Sequence, residues 1–435
     1  MNALQNAIQI TVSRAWDVEK KNDKVIGSGS GARFMSETGE EYIDFTSCTG
    51  AAPLGMASPV VRDATLRGLE LGGMVPGTVH QSRVRVAEQL LDRFPGYSKA
   101  VFLRTGSCAT DAAVKMARSL SGKPIVLTAG YHGWHDWQLQ YQGSQSLAMD
   151  DPHIVHFGYD LNFLKTYLDE HENEVAAVIV SHEYNFCPIQ DLESMMTLAR
   201  DHGVISILDE VMTGFRVDRS GVSGMLGNRP DIVTLSKGLA NATALSAVLL
   251  NESVEAAHDL ANIGNTYMRE VVPFEVASAT LPHMDDAIES MTTNTAYLAE
   301  EANKIFREWN IPALCVNRGG IMHLIWGTKE LRDSFYGGAD AARLYFGTGG
   351  TIMPPASLTH EDLECAAQYF RDFAENTSKN ATASVSTPEL KDAFIGFCQD
   401  NFFVTDPVAE HWWKAHTADV GSSHRSPVNA APALS

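Results

Sequence analysis

An apolar run that stops abruptly on two acids constrains this chain more than any other feature: Val204-Ile-Ser-Ile-Leu208 ends in Asp209-Glu210. Aliphatic and β-branched residues without a regular polar alternation mark a strand covered on both faces, which is the environment of a parallel sheet. The pattern returns at Ala100-Val-Phe-Leu-Arg104, Pro124-Ile-Val-Leu-Thr128, Val175-Ala-Ala-Val-Ile-Val180 and Asp231-Ile-Val-Thr-Leu-Ser236. Helical stretches separate these runs, over Ala112 to Leu120 and Asp191 to His202, the second closing at Gly203. Such alternation predicts an α/β fold with a mostly parallel sheet wrapped by helices. Open α/β sheets bind ligands at the carboxyl edge of their strands. Two charged groups fall there: Asp209 after one strand and Lys237 after another.

Alone, that pair has an ordinary reading, because a strand-end acid often caps a helix and a strand-end lysine is usually solvated. The sharper reading is a pyridoxal phosphate site, which needs an amine to form a Schiff base and a carboxylate to keep the pyridine nitrogen protonated. A small-residue turn, Thr105-Gly-Ser-Cys-Ala-Thr-Asp111, opens a helix. Its unpaired N–H groups suit a phosphate. Gly27-Ser-Gly-Ser-Gly31 leads into a hairpin rather than a strand-to-helix turn, so it fails as a dinucleotide loop. In Gly130-Tyr-His-Gly-Trp-His-Asp136 the histidine spacing is not that of a helical zinc pair, and no metal is expected.

The formal charge of −20 opposes nucleic-acid binding. It would suit a cationic substrate, though acidity also serves solubility. No apolar run is long enough to span a membrane, and the N-terminal residues lack signal-peptide order. Six cysteines without CxxC spacing indicate neither zinc nor a disulfide framework. A cytoplasmic location is expected.

The run Asp209-Glu-Val-Met-Thr-Gly-Phe-Arg-Val217 resembles that of glutamate-1-semialdehyde aminomutases, within the class III pyridoxal phosphate aminotransferases. Tyr131-His-Gly-Trp134, Asn265-Thr-Tyr-Met-Arg-Glu270 and Leu358-Thr-His-Glu-Asp-Leu363 resemble further family segments, and Gly238-Leu-Ala-Asn-Ala-Thr-Ala-Leu-Ser-Ala247 its sugar-associated branch. The likeness covers roughly residues 25 to 373. It implies fold type I, a large cofactor domain and a smaller α+β C-terminal domain. It also implies Lys237 as the covalent anchor and proton carrier, Asp209 on the ring nitrogen, and Tyr131 and Val211 on opposite ring faces. Gly106, Ser107 and Cys108 would surround the phosphate, His132 would lie in the cofactor site, and Thr266 would reach a neighbouring subunit's phosphate in a homodimer with shared sites.

The chain departs from the family at Thr105, at Cys108 where a Glu is usual, at Ala242-Thr-Ala244 and at Met268-Arg269. Glu183 stands where the family has Glu-Pro, and no arginine matches the aminomutase carboxylate position. The favoured reaction moves an amino group from a small-molecule donor to a keto or aldehyde carbon of an amino-sugar, aminocyclitol or related natural-product intermediate. The alternatives are an aminomutase or epimerase, and a catalytically silent scaffold. The expected organisation is an N-terminal arm with short strands to residue 60, a large domain over 61–284, a small domain over 285–375, a linker and helical extension over 376–420, and a disordered tail over 421–435.

Overall fold

In the computed structural model, residues 25–138, 151–264, 266–347, 350–378 and 387–422 are described. The described residues open with a meander of β1 (Ile26–Ser30), β2 (Arg33–Ser36) and β3 (Glu41–Asp44): Gly27 to Ser30 lie in β1, and the β2–β3 hairpin expected after the glycine run follows it. Seven strands then build the central sheet: β4 (Lys99–Leu103), β5 (Ile125–Ala129), β6 (Ile154–His156), β7 (Val175–Ser181), β8 (Ile205–Asp209), β9 (Ile232–Leu235) and β10 (Ser246–Leu250). Their spatial order is β4-β10-β9-β8-β7-β5-β6, with β10 alone antiparallel to its neighbours. The carboxyl ends of β4, β5, β7, β8 and β9 therefore share one edge.

Side-chain alternation divides the core between the two faces of this sheet. Val101, Leu103, Ala177, Ile179, Ile207 and Ile232 pack with the helix Gly106–Ser121 on one face. Phe102, Val178, Val180, Leu208, Val233 and Leu235 lie in a second cluster, with Met195, Met196 and Ala199 of the helix Ile189–Asp201. All seven residues of β7 are buried, which is why its sequence reads as a continuous apolar run.

β11 (Ala313–Arg318) and β12 (Ile321–Trp326) form a hairpin that β14 (Thr351–Ile352) extends, while β13 (Leu344–Tyr345) pairs in parallel with β3. The first strands are thus tied to the C-terminal half, and Ala32, Ile43 and Phe45 share a core with Phe306, Phe346 and Phe370. The long helix Met284–Glu308 carries Asp285 and Asp286 in its first turn, where they complement the helix dipole. Thr359 and Asp362 form a reciprocal cap at the start of His360–Ser378: the Thr359 N–H donates to the carboxylate at 2.9 Å and the Asp362 N–H to the Thr359 hydroxyl at 3.2 Å.

That helix runs through residues 376–378, where the linker was expected to open. A further helix, Asp406–Ser422, packs its buried Val408, Ala409 and Trp412 on the core and runs two residues into the segment expected as tail. Residues 1–24, the rest of the linker, Thr348-Gly349 and residues 423–435 lie outside the described residues. The helix Thr387–Phe402 sets Phe394, Phe397 and Phe402 around Phe186, with ring centroids 5.5, 5.4 and 4.9 Å away. The C-terminal hairpin thereby braces the loop that follows β7. All six cysteines are free thiols.

Candidate active site

Asp209 ends β8 on the shared carboxyl edge and is only 4% exposed. One carboxylate oxygen accepts from the Val211 N–H at 3.0 Å and the Thr234 hydroxyl at 3.1 Å. The other lies 2.9 Å from His132 Nδ1. Since the carboxylate only accepts, this contact places the proton on Nδ1. His132 is held in turn by ring stacking on Trp137 at 5.8 Å and by Thr110, whose hydroxyl donates to its carbonyl at 2.6 Å. The adjacent acid behaves differently. Glu210 is fully buried and accepts from the Val222 and Ser223 N–H groups, both at 2.7 Å, and from the Thr213 hydroxyl at 2.8 Å. It anchors a loop, while Asp209 faces the site.

Thr105 caps the helix Gly106–Ser121 by accepting from the Cys108 N–H at 3.3 Å. The Cys108 N–H is therefore already used, leaving those of Gly106 and Ser107 as first-turn donors. A Cβ on Gly106 would stand 2.7 Å from Val211 Cγ1, and one on Gly133 would stand 2.3 Å from Ser107 Oγ. The loops after β5 and β8 thus close directly on this turn, and glycine is the residue that permits it. Gly133→Ala, at a φ of +107°, is expected to displace the loop and cost roughly 1–3 kcal/mol. Dialysis should show faster cofactor loss from the variant.

Lys237 follows β9 with a φ of 43°, a left-handed conformation that an L residue adopts under tertiary constraint. Beside it lies a turn that sequence reasoning missed. Ser47, Cys48, Thr49 and Gly50 all have positive φ, at 48°, 53°, 62° and 81°. Left-handed helical geometry costs about 1–2 kcal/mol per L residue. Asp44 offsets this by accepting from the Thr46 N–H and hydroxyl and the Cys48 N–H, at 2.7, 2.6 and 3.1 Å. The Ser47 hydroxyl donates to the Met353 carbonyl at 2.6 Å, and buried Arg216 donates to the Gly50 carbonyl at 3.4 Å. A Cβ on Gly50 would lie 3.7 Å from Lys237 Cδ, so the turn abuts the lysine stem.

Glu183, after β7, is 6% exposed. Burial pushes its carboxyl up to about 8, with Lys237 pulling it down and Asp209 pushing it further up. The unfolded carboxyl ionises near 4.5 while the folded one keeps its proton until about 8, so the folded state binds more protons and stability falls as pH rises across that window. Glu183→Gln should flatten this slope in urea unfolding measured through the same range.

The structure thus brings together Asp209, His132, Val211, Gly106, Ser107 and Lys237 on one edge. Tyr131 heads the same β5 loop and is 42% exposed. Thr266 lies elsewhere: with Thr78, Arg83 and Arg269 it lines a separate pocket of about 460 Å³. Among the described residues, no group of three His, Cys, Asp or Glu side chains is placed to hold a metal.

Residues 17–310 match the family described as aminotransferase class-III. The chain belongs to the class-III aminotransferases. This aminotransferase is 34% identical over 293 residues to the 2'-deamino-2'-hydroxyneamine transaminase of Streptomyces kanamyceticus, covering 66% of this chain and 74% of that one. It is 32% identical over 229 residues to the glutamate-1-semialdehyde 2,1-aminomutase of Methanocella arvoryzae, covering 48% and 54%. Among solved structures, an omega-transaminase from Sphaerobacter thermophilus superposes with a TM-score of 0.78 at 19% identity, over 86% of this chain and 97% of that one. The fold is type I of the pyridoxal phosphate enzymes, as expected, and the protein is an enzyme that uses pyridoxal 5'-phosphate. The residues fit that cofactor. A caged carboxylate, a strand-end amine and a glycine-cleared helix N-terminus occupy one sheet edge, matching an acceptor for a ring N–H, a partner for an aldehyde and donors for a phosphate.

Proposed function

We propose that this aminotransferase transfers an amino group from an amino donor to a keto or aldehyde carbon of an amino-sugar or aminocyclitol intermediate of a natural product such as an antibiotic. The observation that carries the reading is the 34% identity to the neamine-type transaminase. Arg216 supports it: its guanidinium donates to the carbonyls of Gly50, Gly320 and Pro354 and is committed to holding loops rather than a substrate carboxylate.

Bound pyridoxal phosphate supplies a conjugated ring that accepts the electron pair of the broken substrate C–H bond. Lys237 Nζ would hold the cofactor's aldehyde and, when not so engaged, would serve as the base that takes up and returns the proton of the substrate carbon. Asp209 holds negative charge at the ring nitrogen, and His132 and Thr234 orient that carboxylate. The Gly106 and Ser107 N–H groups would hold the phosphate, with Cys108 alongside, and Val211 and Tyr131 would hold the ring between them.

The enzyme would act as a homodimer whose sites are shared through Thr266. The exposed Leu66, Leu69, Met74 and Tyr267 give a second copy apolar surface to cover. Sedimentation at micromolar concentration should give twice the chain mass.

An isotope experiment separates transamination from intramolecular transfer, the second reading that the aminomutase relative favours. With ¹⁵N-labelled amino acid donors and a keto-sugar acceptor, label in the sugar product supports transamination. Unlabelled nitrogen migrating within an amino sugar overturns it.

A further inference from the structure

The mechanism leaves Glu183 without a task. Its loop follows β7, whose last residue, Ser181, pairs in register with Asp209 at the end of β8, so the loop opens on the same carboxyl edge as Lys237. The Glu183 backbone is firmly held. Its carbonyl accepts from the Phe186 and Cys187 N–H groups at 2.8 and 2.9 Å, the Asn185 amide donates to the Ile321 carbonyl at 3.0 Å, and Phe186 sits among the rings of the C-terminal hairpin. The side chain is treated differently. Only 6% of the residue is exposed, yet its carboxyl group makes no hydrogen bond or ion pair with any described residue. Other buried glutamates are satisfied: Glu210 by three donors, and Glu275 by Arg67 and Arg85. A buried carboxyl without a donor is costly, and a loop this well fixed does not turn it out to water.

The ionisable groups acting on Glu183 are Lys237 and Asp209, and it acts in turn on the Cys187 thiol of its own loop and the Cys398 thiol of the C-terminal hairpin. Arg318, 5.4 Å over the Tyr184 ring, acts on His182, Tyr184 and Cys187. Asp209 is already committed to His132, Val211 and Thr234. The missing donor then comes from the substrate, and an ammonium supplies both the opposite charge and the N–H groups. We propose that Glu183 is a specificity-determining residue whose carboxylate receives an ammonium group of the substrate other than the one that reacts. The proposal deepens the amino-sugar or aminocyclitol reading and rests on it, since such molecules can carry several amines. Burial keeps the Glu183 proton on until about pH 8. A neighbouring ammonium favours the charged form, so binding expels that proton and strengthens as pH rises through this range.

The test uses the cofactor-loaded enzyme without an acceptor and two amines that differ by one ammonium, cis-1,3-diaminocyclohexane and cyclohexylamine. Half-saturation of the change in the visible band is read for each from about pH 6.5 to about pH 9, and protons released are counted by calorimetry in two buffers of different ionisation enthalpy. Wild type should favour the diamine, increasingly so with pH, and release more protons with it. In Glu183→Gln the preference should shrink about tenfold or more, lose its pH dependence and lose the extra proton, while Glu183→Asp recovers part of it. Should Glu183→Gln fail to fold, the wild-type pH dependence and proton count decide alone. Equal half-saturation by the two amines in wild type, a preference that survives in Glu183→Gln, or a band that neither amine changes overturns the proposal. So does an altered amine-free band in Glu183→Gln with the diamine preference intact, which assigns the carboxyl to the cofactor. The ¹⁵N experiment reports on transamination separately: label reaching the sugar while the diamine preference is absent removes the role of Glu183 and leaves the proposed reaction standing.

Discussion

Replacing Lys237 by alanine is expected to abolish covalent cofactor attachment and to lower turnover by at least about 10³-fold, since a positioned proton-transfer group alone contributes roughly 10²–10⁴-fold. Folding should be little affected. Lys237 already sits at a φ of 43°, and alanine meets the same left-handed penalty, so the strain of the β9 exit is unchanged. The turn beside it is secured independently by Asp44, Arg216 and the Met353 carbonyl. The visible absorption band of the lysine-bound cofactor should be missing from the purified variant, with thermal unfolding shifted by only a few degrees. A retained band would place the covalent anchor on another amine.

Asp209→Asn is expected to reduce turnover by about 10³-fold or more while leaving part of the cofactor bound, because a preorganised charge acts mainly on the charge developing during reaction. The substitution preserves shape but changes the hydrogen-bond logic. Three donors surround the carboxylate: the Val211 N–H, the Thr234 hydroxyl and His132 Nδ1. An asparagine amide turns its N–H₂ toward one of these sides, so either His132 changes tautomer or a donor is left facing a donor. That mismatch costs about 1–3 kcal/mol when buried. The two effects separate experimentally. Equilibrium unfolding reports the mismatch, and the rate at which a bound amine exchanges its α-proton with solvent reports the lost charge. An exchange rate close to wild type would remove Asp209 from the proposed role.

Asp209 and Lys237 were legible in the sequence because a charge at the end of a buried strand has no other place to go. The sheet was legible for the same reason, since β7 and β8 are apolar on both faces. Gly106 and Ser107 were readable as a strand-to-helix turn, but the cap that takes the Cys108 N–H depends on the Thr105 rotamer, which sequence does not set. The left-handed turn was not legible. Ser47, Cys48 and Thr49 carry none of the glycine signal such a conformation usually has, and what holds them comes from Asp44, Arg216 and Met353, up to some three hundred positions away along the chain. His132 beside Asp209 was equally hidden, since a contact between the β5 and β8 loops exists only once the strands are ordered. The distribution of the N-terminal strands was also hidden: β3 pairs with β13, a two-residue strand too short to carry a periodic signal.

The most direct measurement adds a panel of amino acid donors to the cofactor-loaded enzyme without an acceptor and follows the visible spectrum. Loss of the lysine-bound band with one donor, followed by its return when a keto sugar is added and by an amino sugar in the product, is the expected result. A band that no donor changes, while an amino sugar alone exchanges its α-proton with solvent, would contradict two-substrate transamination at this site.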